Sequence, residues 1–171
     1  MDPAEERKVL DDLERGSQAL RDALRGIGEE QAALRPGPDR WSVLDCVEHL
    51  AVVEEYLLGQ LEAATPALTP VGTALREARI AERAGDRSRP VEAPEFVRPR
   101  GRFATLAEAL RCFESVRWRT VRFVECCQKD LRQQATTHPL IGAVNGHEIL
   151  LMMALHPARH AKQIAEIRAA L

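Results

Sequence analysis

The segment ILLMMALHPARHAKQIAEI, residues 149–167, decides how the chain folds. Read as a helix at about 100° per residue, it places most of its apolar side chains and a few polar ones on a single stripe. The stripe consists of Ile149, Met152, Met153, His156, His160, Gln163, Ile164 and Ile167. A helix buries such a stripe, and an unpaired buried polar group costs about 1 to 3 kcal/mol. The polar residues therefore need partners in the core, and a metal ion is one suitable partner.

His156 and His160 have the spacing of a helical metal site. One turn apart on the same face, both rings reach a single ion at the usual Zn–N distance of about 2.0 to 2.1 Å. The alternative is that each ring is a core residue hydrogen-bonded to a neighbouring helix. Pro157 removes the amide that would bond to the carbonyl of Met153, so we expect a kink, or a helix that begins afresh with Pro157 in its first turn. His147, half a turn away from the pair, is predicted to be a surface or capping residue.

Length and composition describe an ordinary globular chain. Its 171 residues suffice for one well-buried core, and we predict a single domain over residues 1–171. Hydrophobic residues at 45%, charged residues at 29% and a net charge of −2 give no reason to expect a nucleic-acid surface. The sequence carries neither a signal-peptide pattern nor an apolar run of membrane-spanning length, so we expect a cytoplasmic protein without membrane contact. The four cysteines are then expected to be reduced thiols.

Three further segments have the apolar spacing of amphipathic helices: about 3–26, about 41–65 and about 105–134. Residues 26–40 are predicted to form turn and loop because of their glycines and prolines, and residues 136–148 to form a loop. Four long amphipathic segments without an alternating strand pattern predict an all-α fold, an antiparallel four-helix bundle. The connection between the second and third long helices is by far the longest. It is able to cross the bundle and so to leave two neighbouring helices parallel.

His49 lies on the flank of the apolar stripe of the second long helix. Ser42 is the predicted N-cap of this helix, and Asp45 nearly completes a capping box. Taken alone, His49 is expected to be a partly exposed residue that pairs with Asp45 one turn earlier. If the second and fourth long helices face one another, His49 is instead the natural third ligand, because bundles build metal sites from side chains on facing helices.

Two positively charged features require an explanation. Arg117 falls on the seam of the third long helix, where a guanidinium is either a member of a structural ion pair or a cation in a ligand site. Residues 83–102 contain six arginines against three acids. A basic loop of this kind can meet an anionic ligand or a nucleic acid. It is more often a solvated connection, and this one lacks the aromatic residues on which bases stack.

Together these segments resemble the DinB/YfiT-like family of metalloenzymes. The likeness runs over almost the whole chain and is carried by RPGPDRWSVLDCVEHLAVVEEY at 35–56, HPLIGAVNG at 138–146 and HPARHAKQIAEIR at 156–168. These motifs resemble the family's Trp-Ser opening of the second helix with its His, its His-Pro loop with a following Gly, and its HxxxHxxQI close. The resemblance implies a DinB-like four-helix bundle and three histidine metal ligands, which fall on His49, His156 and His160.

The resemblance also implies a function. Members with known activities include transferases of low-molecular-weight thiols such as bacillithiol, and a mycothiol-dependent isomerase. We therefore expect a metal-dependent thiol S-transferase whose partners are a small-molecule thiol and an electrophilic substrate. Three imidazoles leave an open position on a divalent ion such as Zn, Ni or Fe, which acts there as a Lewis acid. Arg117, which looks like an arginine on the third long helix of many relatives, and Gln163 are the expected cofactor-binding residues, and Arg117 is also the candidate catalytic residue.

Two alternatives stay open on the residues themselves. A metal-dependent hydrolase needs a general base near the ion, and Asp45, Glu48 and Glu148 are poorly spaced for that role. A non-catalytic helical binding module needs a closed coordination sphere, for which Cys46 is the candidate fourth ligand. A short helical bundle is also compatible with a homodimer.

Overall fold

The computed structural model describes residues 1–88 and 91–171. Four long helices form the body of the fold: α1 Pro3–Leu24, α3 Val43–Glu62, α5 Leu106–Cys126 and α6 Gly146–Ala170. Two shorter helices, α2 Glu29–Ala33 and α4 Ala74–Gly85, lie in the connections, together with single turns of 3-10 helix at Glu95–Val97 and Leu131–Gln133. The structure thus confirms the predicted all-α four-helix bundle. Arg89 and Pro90, part of the predicted basic loop, lie outside the described residues.

Reciprocal capping boxes fix where α3 and α6 begin. The Ser42 hydroxyl accepts from the Asp45 amide at 3.0 Å, and the Asp45 carboxylate accepts from the Ser42 amide at 2.8 Å. Asn145 and Glu148 make the same pair of bonds at the start of α6. Asp45 also binds Arg35 through both carboxylate oxygens, so its hydrogen-bonding capacity is used at the helix start.

The long helices form two parallel pairs that run in opposite directions. In α1 and α6, Gly16 lies against Ala154 and, further along both helices, the Ala23 carbonyl accepts from Arg168. Helices α3 and α5 both begin in the core cluster where α1 and α6 end, and both finish in the other cluster. The long connection between α3 and α5 therefore crosses the bundle, and these two helices are parallel neighbours.

Two apolar clusters divide the core between them. The first surrounds the beginnings of α1 and α6, with Leu13, Leu58, Ile149, Leu150 and Met153 at its centre. The second surrounds the beginnings of α3 and α5, with Leu20, Val47, Leu50, Phe113 and Ile164 at its centre. Polar side chains from all four long helices are buried between the two clusters, and the candidate site lies among them.

Three predictions about the connections are wrong. Residues 134–145, predicted as helix end and loop, form strands β2 Gln134–His138 and β3 Gly142–Asn145, and β1 Thr65–Pro66 joins them in the antiparallel order β1-β2-β3. Helix α5 ends at Cys126 and does not continue to residue 134, and α2 forms inside the predicted loop 26–40. These elements are only a few residues long and depend on pairing with distant segments, so local periodicity does not reveal them. Among the described residues, no helix combines the length and the apolarity that crossing a bilayer requires.

Candidate metal centre

The structure brings His49 of α3 together with His156 and His160 of α6. One ring nitrogen from each lies within 4.8 Å of the others, which makes this the single group of potential metal ligands found in residues 1–88 and 91–171. His49 is only 5% exposed, so the expectation of a partly exposed residue paired with Asp45 is wrong. The flank of α3 that carries His49 is covered by the crossover connection and faces α6.

A backbone hydrogen bond fixes the orientation of His49. Its Nδ1 lies 2.7 Å from the carbonyl oxygen of Val97, in the 3-10 turn of the crossover. A carbonyl oxygen only accepts, so Nδ1 carries the proton and the neutral ring keeps its lone pair on Nε2. Histidines that bind metals commonly donate their second N–H to a carbonyl in this way. His49 is thus oriented as a ligand through Nε2.

His156 and His160 face each other through Nε2, at a separation of 3.0 Å. Two ligands of a tetrahedral ion with Zn–N distances of about 2.0 to 2.1 Å lie roughly 3.3 Å apart. The observed separation is close to that value, so a small adjustment of either ring accommodates an ion. The Nδ1 of His160 is buried and has no hydrogen-bond partner among the described residues, which leaves Nε2 as the one engaged nitrogen of that ring.

All three imidazoles are held neutral at pH 7. Burial lowers the pKa of His49, opposed in part by the bond to Val97. Burial, and then the neighbouring rings and guanidinium groups, lower the pKa of His156 and His160 well below the ordinary value. A metal binds the neutral ring, so the same environment that excludes the proton keeps the ligands ready for an ion. The donor set, its neutral state and its spacing fit a divalent cation.

Trp41, at the start of α3, forms a wall of the cluster. Its ring centroid lies 4.9 Å from that of His49 and 6.1 Å from that of His160, nearly parallel to the latter at 12°. His156 is the partly exposed member of the three, while His49 and His160 are buried. The open side of the cluster therefore lies next to His156.

Glu48 anchors the part of the crossover that contacts His49. Its carboxylate accepts from the backbone amides of Arg100 at 2.6 Å and Arg102 at 3.0 Å, and the side chain is 2% exposed. These bonds hold the segment that follows Val97, whose carbonyl orients the His49 ring. Neither support is recognisable in the sequence, because a backbone carbonyl leaves no sequence signal and a glutamate next to a histidine suggests a general base more readily than a loop anchor.

Arg117 is a buried ion-pair member, the first of the two alternatives for this residue. Its Nε and Nη2 donate to the Glu54 carboxylate at 2.6 and 2.9 Å. Nη1 donates to the Leu13 carbonyl and to Ser17, and Nη2 also donates to the Met153 carbonyl at 2.8 Å. All five N–H groups are used inside the bundle, so none is left for the carboxylate of a cofactor.

Gln163 contacts an arginine of the crossover. Its side-chain oxygen accepts from Arg87 Nη1 at 3.0 Å, and Arg87 forms a two-fold ion pair with Glu166 at 2.8 and 2.6 Å. Arg159 donates to the backbone carbonyl of Asp86. Arg87 therefore lies beside the metal-ligand turn of α6, and Gln163 helps to hold it there.

Other candidate ligands and bases lie outside the cluster. Asp45 and Glu148 serve helix caps, and Glu48 serves the crossover, so none of the three is placed as a general base among the described residues. Cys46 is buried, its thiol pKa is raised by that burial, and it is not part of the ligand group.

His147 lies in the first turn of α6 near Glu5 and Glu77. The prediction of a capping or surface position describes it only in part, since its side chain is largely buried.

Comparison with known proteins supports this arrangement at the level of fold. Residues 12–164 match the sequence profile of the DinB superfamily. YfiT from Bacillus subtilis, described as a probable metal-dependent hydrolase with an unusual four-helix bundle topology, has a TM-score of 0.61 at 17% identity, over 99% of this chain and 89% of its own. TT2238, described as a four-helix bundle protein, has a TM-score of 0.60 at 20% identity, over 94% of this chain and 98% of its own. No curated protein matches the chain significantly.

Proposed function

This chain belongs to the DinB superfamily, and on that premise we propose that it is a metal-dependent enzyme that transfers a low-molecular-weight thiol to an electrophilic substrate. The observation that carries the proposal is a cluster of three neutral histidines, two of them buried and one partly exposed, with no carboxylate of the described residues in the group. His49, His156 and His160 are the proposed ligands of Zn, Ni or Fe. When bound, such an ion supplies Lewis acidity, which lowers the pKa of a thiol or a water molecule in its open position.

Among residues 1–88 and 91–171, the candidate general bases are not placed at the cluster, which favours a thiol over water as the nucleophile. Hydrolysis needs a group that moves protons during attack and departure, and the three candidate carboxylates are engaged elsewhere. A thiol loses its proton to solvent before attack. In the proposed reaction a bond forms between the thiol sulfur and an electrophilic carbon, and the leaving group departs from that carbon with its bonding electrons.

Residues around the cluster provide binding and orientation. Trp41 closes one wall and excludes water from the face of His160. Arg87 and Arg159 bring positive charge close enough to contribute to the lowered pKa of His160. That charge attracts an anionic ligand, and the small thiols of cells generally carry carboxylates. We assign the carboxylate-binding role to this pair in place of Arg117. Arg87 is already paired with Glu166, so the carboxylate of a ligand would compete with Glu166 for this guanidinium, which Gln163 positions.

Metal-dependent hydrolysis is the second candidate. It is favoured by the description of YfiT as a probable metal-dependent hydrolase. The same three histidines would hold the ion, and water would take the position assigned to the thiol. The two functions differ in whether turnover requires a thiol.

An assay on the metal-loaded protein separates the candidates. The protein is incubated with an aryl halide or epoxide in the presence of thiols that carry carboxylates, and separately with a panel of esters and amides without thiol. We expect a thioether conjugate whose formation depends on metal and is lost in the double variant His156→Ala, His160→Ala. Arg87→Gln should raise KM for an anionic thiol more than KM for a neutral thiol of equal size. Hydrolysis without thiol, and no conjugate, would establish the second candidate.

A further inference from the structure

Pro157 interrupts the hydrogen-bond ladder of α6 at the metal-ligand turn. A proline inside a helix has no amide to donate to the carbonyl four residues earlier, and its ring crowds that carbonyl, so helices commonly kink or end there. Pro157 is buried and directly follows His156. Helix α6 nevertheless runs without a break from Gly146 to Ala170, so the predicted fresh start at Pro157 is not observed.

The carbonyl that Pro157 leaves without its helical donor belongs to Met153. It accepts at 2.8 Å from Nη2 of Arg117, whose side chain reaches from α5 through the core of the bundle. Both residues are buried, Met153 completely and Arg117 to within 6%. A buried carbonyl without a donor is costly, and a charged donor makes a stronger hydrogen bond than the amide that is missing. The guanidinium therefore takes the place of the backbone N–H that the proline removes.

The rest of the guanidinium is fixed by the other two long helices. Glu54 on α3 binds it at two points, and the Leu13 carbonyl and Ser17 hydroxyl on α1 occupy Nη1. Helix α1 comes close enough for this because Gly16 has no side chain: a Cβ there would lie 2.2 Å from the Ala154 carbonyl oxygen. With hydrogen bonds to the three other long helices, the direction of the Nη2 donor is determined by the bundle as a whole.

We propose that Arg117 is a positioning residue for the metal ligands, acting through the Met153 carbonyl. By supplying the donor that Pro157 removes, it keeps the turn from Met153 to His160 helical and holds the two Nε2 atoms 3.0 Å apart. The consequence for metal binding rests on the proposed function. The bond by which Arg117 replaces the missing amide of Pro157 does not depend on the proposed function, because it is present in the folded chain without any ion.

A double-mutant cycle tests the proposal. The proteins are wild type, Arg117→Lys, Pro157→Ala and the combination of both. Lysine keeps a positive charge opposite Glu54 but has three N–H donors in place of five and lacks the planar fork. Pro157→Ala restores the backbone amide, which makes the external donor redundant. The double substitution Glu54→Gln, Arg117→Gln, which leaves no unpaired buried charge, is a second way to remove the donor and is made in both backgrounds.

Two measurements are made on each protein: the Co²⁺ affinity with the visible absorption spectrum of the bound ion, and urea unfolding of the metal-free chain. With Pro157 present, removal of the Arg117 donor should weaken Co²⁺ binding about 10- to 100-fold, the range found when supports of metal ligands are removed. With Pro157→Ala the loss should fall below about threefold, so the effects of the substitutions at positions 117 and 157 should be clearly non-additive. Thr120→Val is the matched control. It removes a 3.0 Å bond to Glu54 in the same network without touching Met153, and should have the same effect in both backgrounds.

Each of the other possible results contradicts either the role proposed for Arg117 or the proposed function. If Arg117→Lys weakens Co²⁺ binding equally with and without Pro157, Arg117 acts through its ion pair alone and the proposal is wrong. It is equally wrong if neither substitution of Arg117 changes affinity or the Co²⁺ spectrum. If the wild type binds no Co²⁺, the proposed function fails. Coupling between positions 117 and 157 in the unfolding of the metal-free chain then decides whether Arg117 supports the turn.

Discussion

Gly16→Ala probes the contact between α1 and the metal-ligand segment of α6. The added Cβ would lie 2.2 Å from the Ala154 carbonyl oxygen, where ordinary contact begins at 3.4 Å, and the Pro157 ring is also near, with Cδ at 3.7 Å. The opposing atom is backbone, so relief requires that α1 and α6 separate. Overpacking of this kind costs about 1 to 3 kcal/mol.

Helix propensity acts in the opposite direction. Alanine is more favourable than glycine inside a helix by about 0.8 to 1 kcal/mol, so the net expectation for Gly16→Ala is a loss of roughly 0 to 2 kcal/mol in the free energy of unfolding. Gly59→Ala is the matched control, because Gly59 is an exposed position inside α3 with no atom near the added Cβ. It should gain about 0.5 to 1 kcal/mol.

Urea unfolding of the metal-free proteins at constant pH measures both values. The account predicts changes of opposite sign, and a weaker Co²⁺ affinity only for Gly16→Ala. If Gly16→Ala stabilises the protein as much as Gly59→Ala does, the close approach of α1 to α6 is refuted. The explanation of how Leu13 and Ser17 reach Arg117 would then have to be abandoned.

Three further predictions concern the site. Glu48→Gln should weaken Co²⁺ binding about tenfold, because it loosens the segment next to Val97. Co²⁺ titrations of Glu48→Gln and of Glu55→Gln, which alters a half-exposed partner of Arg102, check this prediction. An equal loss of Co²⁺ affinity in the two variants would contradict it. Cu²⁺ should quench the fluorescence of Trp41 strongly, so that quenching survives Trp118→Phe and disappears in Trp41→Phe; the opposite pattern would place the ion elsewhere. Because burial lowers the pKa of all three cluster histidines from 6.5, acidification protonates them in the unfolded chain first. The stability of the metal-free protein should be fully present above pH 6.5 and fall as the pH drops below it, by up to about 1.4 kcal/mol per pH unit for each histidine. Urea unfolding between pH 7.5 and 5 should show a shallower slope for His156→Ala, His160→Ala, and an equal slope would contradict the assignment.

The local pattern was sufficient for the main helices and for two of the three cluster residues. Stripes at helical spacing are set by which side of a helix is buried, and His156 and His160 share such a stripe in one segment. His49 was different. Its position on the flank of α3 indicated exposure. Its assignment as the third ligand depended on whether α3 faces α6, and the resemblance to a family favoured that arrangement. What covers that flank is Val97, a residue 48 positions away that offers only a carbonyl.

Features that depend on several distant segments were beyond sequence reasoning. Thr65 pairs with Ala135, and a five-residue strand with such a partner has no signal of its own. For Arg117 the residue type allowed two roles. The choice between them depends on acceptors from three other helices, and two of these acceptors are backbone carbonyls. The sequence predicts that Pro157 disturbs α6. The donor that compensates for its missing amide belongs to Arg117 on another helix, so the sequence of α6 does not reveal it.

The most direct test of the central claim is the number of metal ions per chain. The protein is purified without a nickel column or chelator, reconstituted with Zn²⁺, Ni²⁺ or Fe²⁺, freed of excess ion and analysed for elemental composition beside His156→Ala, His160→Ala. We expect close to one ion per wild-type chain and none in the variant. Reconstituted wild-type protein without bound metal, or a variant that retains the same amount, would contradict the assignment of His49, His156 and His160 as a metal centre.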